Sequence, residues 1–170
     1  MTYAVAAGPV QEGVDRMAFR TAMSRFATGV AILTAFHDGQ RYGMTINSLT
    51  SVSLDPCQIL VCVNHGSATG DAIKASGVFA VSLLNAAQGD VSRSFVGRDA
   101  TRFANVDATQ GLGDVPLIDE ALAAVTCKVS DVLASGDHEI IIGDVVDCMH
   151  RDGDPLVFFA GKYGLIEMRA

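Results

Sequence analysis

The sequence predicts a mainly β domain with short helices, closed as a single antiparallel barrel. Three observations point there. About seven segments run apolar or alternate at strand length, and turn signals separate them at short intervals. No early strand leads into G-x-G-x-x-G, and no GxxxxGK loop occurs, which argues against a βαβ array with a Rossmann or P-loop nucleotide site. The chain has 170 residues, 49% hydrophobic and 18% charged, enough length and apolar content for one core.

The elements follow in order. Residues 1–14 are rich in Ala and Gly and read as a loose arm, leaving residues 15–170 as one domain. Met17, Phe19, Met23 and Phe26 recur at mostly helical spacing, which predicts an amphipathic helix over residues 15–27. Residues 29–36 read as a strand, Asp38-Gly39 as a hairpin turn, and residues 41–46 as the returning strand. Residues 58–63 form a buried strand around Ile59, Leu60 and Val61. A brief helix over 69–76 opens on small polar residues and stops at Gly77. Another strand covers 78–84 and a helix 88–95. Residues 97–116 show no clear period and read as a long loop with a turn of helix. Ala123, Val125, Cys127 and Val129 alternate with more polar neighbours, so the C-terminal third returns to strand. A turn at residues 135–138 leads into a long strand over 139–149. Residues 152–155 turn again, and strands near 156–160 and 163–166 close the chain.

Charge and cysteine usage narrow the function. A formal net charge of −7 argues against nucleic acid or an anionic membrane surface as partner, since both call for clustered Lys and Arg. No apolar run approaches the ~20 residues that span a bilayer, and the first residues lack a basic-then-apolar leader pattern; the expected location is the cytoplasm. Cys57, Cys62, Cys127 and Cys148 form no CxxC pair and sit in strand-like sequence, as reduced thiols would. The four histidines are scattered, so no metal site is expected.

Three polar clusters interrupt the strands. Residues 43–56 put a run of hydroxyls beside Asn47 at a strand end. They serve either as a solvated turn or as a neutral donor surface for a flat heteroaromatic ligand. Residues 64–69, Asn-His-Gly-Ser-Ala-Thr, lie between a strand and a helix start. They form either an ordinary N-cap or an anion seat. Gly136-Asp137-His138 occupies a hairpin whose loop end could approach a cleft.

Together and in this order, the clusters resemble the short-chain flavin reductase family, the reductase components of two-component flavin monooxygenases. The resemblance runs from Phe19 to Glu167. It rests on FRTAMSRFATGVAILTA, GMTINSLTSVSLDP, a Ser-x-Thr before a short helix, FAVSLL with residues 90–95, SGDHEIIIGDV and PLVFFAGKYG. It implies an FMN-binding split β-barrel, usually a homodimer, that reduces FMN or FAD with NADH or NADPH and supplies a partner flavin-dependent monooxygenase. By correspondence it assigns the isoalloxazine contacts to Tyr42, Gly43, Met44, Thr45, Asn47 and Ser48. Cys62, Val63, Asn64, Ser67, Ala68 and Thr69 fall to the ribityl chain and phosphate, and Ser94 and Phe95 to a later flavin contact. His138 falls beside the nicotinamide, with Tyr163 near the same cleft. Several relatives carry Lys or Arg near the positions of His65 or Ser67. This chain does not, so phosphate binding falls to N–H groups, hydroxyls, His65 and basic residues from elsewhere such as Arg93 or Arg98. The competing readings are a non-enzymatic flavin-storage barrel, an oxidase of the pyridoxamine phosphate type, and a purely structural dimer.

Overall fold

The computed structural model describes residues 13–97 and 102–167. Most of the predicted N-terminal arm, and Arg98, lie outside the described residues. The chain begins with α1 (Arg16–Met23), whose N-cap Asp15 accepts from the Ala18 amide at 2.8 Å. The strands that follow are β1 (Thr28–Gly29), β2 (Ala31–His37), β3 (Gln40–Ile46), β4 (Leu49–Leu54) and β5 (Cys57–Asn64). Then come α2 (Ala68–Ser76), β6 (Val78–Leu83), α3 (Gly89–Ser94), β7 (Ala108–Gln110) and β8 (Pro116–Ile118). The two longest strands, β9 (Ala123–Ser135) and β10 (His138–His150), precede the short pair β11 (Val157–Phe159) and β12 (Lys162–Gly164).

Seven strands form one antiparallel sheet in the order β3-β2-β6-β9-β10-β5-β4. Its two edges, β3 and β4, are consecutive in the chain and joined only by Asn47 and Ser48. Laid flat at about 4.8 Å per strand, the edges would stand about 29 Å apart. Three Cα steps reach about 11 Å. The sheet therefore curls until its edges approach, a barrel split along the β3–β4 seam, in agreement with the predicted class.

The curl explains the unbroken burial from Ala31 to Ala35 in β2. Ala31, Leu33 and Ala35 point into the barrel with Val61, Val63, Phe79, Val81, Cys127 and Ile141. The alternate face carries Ile32, with Val30 just before the strand. These pack outward with Leu84, Phe95, Ile118 and Leu156, beneath α3, β8 and the segment before β11. Both faces of β2 are covered, so period-2 alternation disappears. α2 contributes Ala72 and Ile73 to the inner cluster. It stops at Gly77, whose left-handed conformation (φ 72°) lets its N–H reach the Ile73 carbonyl at 2.8 Å.

Three strands differ from the sequence reading. Leu49–Leu54 reads as polar turn but forms β4, which pairs with β5. An edge strand with one ladder and solvent beyond it tolerates hydroxyls, so its composition resembles a loop. Within the supposed loop of 97–116 lies β7, which pairs with β8 at the loop's end over three residues each, too short for a period to show. The α1 prediction is also shortened: the helix ends at Met23, and Phe26 lies beyond it.

Cys127 is fully buried, and burial pushes its thiol up from 9.0 to about 12, with the Asp144 charge adding to the effect. The folded value lies above the unfolded one. The stability held in the neutral thiol is thus complete below about pH 9 and is lost as pH rises toward 12. Urea unfolding at pH 8 and pH 10.5 should show a larger drop in midpoint for the wild type than for Cys127→Ala. Equal drops would assign the alkaline loss to other groups.

Candidate functional site

β3 is an edge strand, and its last residues lack a strand partner on the open side. The end of α3 supplies one. The Thr45 amide donates to the Phe95 carbonyl at 3.4 Å, and the Thr45 hydroxyl donates to the Ser92 carbonyl at 2.6 Å. That carbonyl belongs to the last turn of α3, where helix carbonyls have no internal partner. Gly43 makes the approach possible. A Cβ there would stand 2.7 Å from Phe95 Cε1 and 3.1 Å from Phe103 Cζ, in an edge-to-face pair of rings. A side chain at Gly43 would collide with the Phe95 ring.

This junction bounds a half-open cleft of about 510 Å³. Met44 and Thr45 form one wall. Asn64, His65, Gly66 and the first residues of α2 form the second, and Phe95, Val96, Gly97 and Arg102 the third. Thr45 and Val96 also border a smaller lobe of about 180 Å³ that reaches Asn47, Phe158 and Tyr163.

The helix end in the cleft suits an anion. Ser67 caps α2, accepting from the Gly70 amide at 3.3 Å, while its hydroxyl proton faces the Met44 sulfur at 3.6 Å. The first amides of a helix carry partial positive charge. Behind them Lys74 contacts Glu139 at 2.8 Å and Asp71 at 3.0 Å. The hydrogen bond to Glu139, then that to Asp71, raises the Lys74 ammonium above its ordinary 10.5. His65 Nδ1 lies 3.6 Å from the same Glu139. Arg102, on the facing wall, donates to the Gly43 and Gly97 carbonyls. Among the described lining residues it carries the fixed positive charge that the sequence segment 64–69 lacks.

The hydroxyls of the first cluster are already engaged. Ser48 donates to the Cys62 carbonyl at 2.8 Å and accepts from the Cys62 amide at 3.2 Å, extending the β4–β5 ladder by a side chain. Thr45 gives its proton to Ser92. Thr45, in the cleft wall, therefore faces a ligand as an acceptor. Asn47 donates to the Thr28 hydroxyl at 3.2 Å.

Of the predicted residues, Met44, Thr45, Asn64, Ser67, Ala68, Thr69 and Phe95 line the larger lobe, and Asn47 and Tyr163 the smaller. Tyr42 packs against the inner core, Val63 is part of it, and Gly43, Ser48 and Cys62 stand behind the walls. The Ser94 hydroxyl turns back to the Val91 carbonyl at 2.8 Å. Arg93 pairs with Asp90 and lies 5.6 Å from the Tyr163 ring centre. His138 begins β10 directly opposite Asn64, one strand from the cleft. Its Nδ1 is 2.7 Å from the Asp137 carboxylate, which that hydrogen bond holds below the usual carboxylate range. Any ligand contact from the ring then falls to Nε2. Val96, Gly97, Arg102 and Ser92 escape the sequence reading. Ser92 alone left a trace, as a small residue on the buried side of a short helix.

Fold and cleft together define the class: a split antiparallel barrel with a half-open cleft between the end of β3, the start of α2 and the end of α3. Residues 23–167 match the flavin reductase like domain family. The chain is 37% identical over 155 residues to the reductase component of 4-nitrophenol 4-monooxygenase/4-nitrocatechol 2-monooxygenase of Rhodococcus opacus, covering 91% of this chain and 83% of that protein. It is 37% identical over 153 residues to the FMN reductase (NADH) RutF of Pseudomonas syringae, covering 88% and 86%. Among solved structures, the NADH:FAD oxidoreductase SgcE6 of Streptomyces globisporus, in complex with NAD and FAD fragments, superposes with a TM-score of 0.86 at 32% identity, covering 90% and 93%. The chain belongs to the flavin reductase family.

Proposed function

We propose that this protein is an NADH-dependent flavin reductase that releases reduced flavin to a partner flavin-dependent monooxygenase. The observation that carries the reading is the two-lobed cleft, with an anion-accepting helix start and Arg102 facing each other across its larger lobe. A cleft of about 510 Å³ is in the range of ligand pockets. The helix amides and Arg102 would hold a flavin phosphate, and Thr45, Asn47 and Phe95 would border the ring. Bound together, nicotinamide and flavin would supply the hydride-transfer chemistry. The protein's share is orientation: Asp137 fixes the His138 ring, and Tyr163 borders the smaller lobe beside Thr45.

The monooxygenase partner is inferred from relatives named as reductase components. A homodimer built on residues 15–170 is supported by α1, which buries none of its own residues and leaves Met17, Phe19 and Met23 more than half exposed. Four free thiols suit the cytoplasm.

The decisive experiment is NADH and NADPH oxidation with FMN, FAD and riboflavin each supplied in turn. Turnover with NADH and a phosphorylated flavin supports the reading; flavin binding without turnover would leave a storage protein. His138→Ala should raise the KM for NADH about tenfold, the equivalent of one lost hydrogen bond, and leave the KM for flavin unchanged. Unaltered NADH kinetics would remove His138 from the nicotinamide side.

A further inference from the structure

Ser92 lies on the short helix α3 and is completely buried, yet both of its polar ends are used outside that helix. Its hydroxyl is 2.7 Å from the Tyr163 hydroxyl, seventy-one residues away in sequence. Its carbonyl accepts the Thr45 hydroxyl at 2.6 Å. Thr45 and Tyr163 are both walls of the smaller lobe, contributed by β3 and β12. The two strands belong to different sheets and share no ladder.

We propose that Ser92 is a positioning residue that sets the spacing of Thr45 and Tyr163, and so the geometry in which nicotinamide and flavin meet. This rests on the flavin reductase reading above. Tyr163 is steadied on two further sides, by the edge of Phe158 with ring centres 5.9 Å apart and by the Arg93 guanidinium. Among the described residues, the hydroxyl itself is anchored by the bond to Ser92. Thr45 is likewise placed by its amide, but its side-chain rotamer is selected by the Ser92 carbonyl. A single buried residue therefore governs both sides of the lobe. An error there misaligns the reacting atoms without emptying the phosphate seat, which lies beyond Thr45 at the start of α2.

Stopped-flow bleaching of flavin by NADH, read alongside flavin affinity, tests this with Ser92→Ala, Tyr163→Phe and the double variant. The bleaching rate constant should fall about tenfold in each single variant, by no more in the double, and flavin affinity should stay within twofold of wild type. Tyr163→Phe keeps the ring and its packing, so it reports on the bond even if Ser92→Ala folds poorly. Wild-type rates in both single variants, or a double variant that multiplies the two losses, would overturn the proposal while leaving the reductase reading intact. An inactive wild type would overturn both.

Discussion

Gly143→Ala is expected to cost about 3 kcal/mol of folding stability, at the upper end of what overpacking a core costs. At a urea dependence of about 2 kcal/mol per molar, the unfolding midpoint falls by about 1.5 M. Gly143 lies in β10 at a register shift between Ile142 and Gly143, where the ladder with β9 slips by a residue. A Cβ built there would stand 2.5 Å from Phe79 Cζ, 2.6 Å from Phe79 Cε1 and 2.7 Å from Cys127 Cβ. Phe79 and Cys127 are both fully buried, and a Cβ on the neighbouring strand cannot rotate away. Alanine normally gains on glycine in a strand, by up to about 1 kcal/mol. That gain is smaller than the clash, so the sign is set by packing. The double variant Gly143→Ala/Phe79→Leu should recover part of the loss, because the shorter side chain vacates the space the new methyl needs. A midpoint unchanged in the single variant would show that β10 moves freely over the inner core.

The same residue illustrates what the sequence can carry. The hairpin at Asp38-Gly39 was legible because both residues adopt positive φ, 50° and 71°, and Asp-Gly announces such a turn locally. The helix stop at Gly77 was legible for the same reason. Gly143 announces nothing: its need is for Phe79, sixty-four residues earlier in the chain, and no local pattern encodes a distant ring. The cleft divides in the same way. The Ser67 cap is legible because strand-to-helix junctions advertise one, while Asn64, Ala68 and Thr69 come through the family resemblance. Thr45 reads from sequence as a donor; its acceptor role depends on the Ser92 carbonyl, which the docking of α3 against β3 supplies. Correspondence of motifs points to Ser94, whereas helical phase turns Ser92 inward and leaves Ser94 bonded to Val91 within its own helix. Arg102 was the hardest to see, because it reaches the site from a segment with no period of its own.

Arg102→Gln is expected to weaken FMN binding about 30-fold, the equivalent of about 2 kcal/mol for a lost charge-assisted hydrogen bond. A chain at −7 repels a phosphorylated ligand at long range, so the seat must concentrate positive potential locally. The α2 amides provide partial charges. The Lys74 ammonium nearby is held by Glu139 and Asp71, which leaves that group of three with no positive excess. Arg93 is directed to Asp90 and the Tyr163 ring. Arg102 stands on the wall opposite the helix start and adds a guanidinium to the cleft lining. It also fastens the Gly43 and Gly97 carbonyls, so its loss could loosen the wall as well as remove charge. Riboflavin separates the two effects, because it has the ring and the ribityl chain without phosphate. Affinity for riboflavin should stay within about twofold in the variant, and the salt dependence of FMN binding should flatten as the charge is removed. Parallel losses for FMN and riboflavin would instead make Arg102 a brace of the cleft and return the phosphate to the amides of α2.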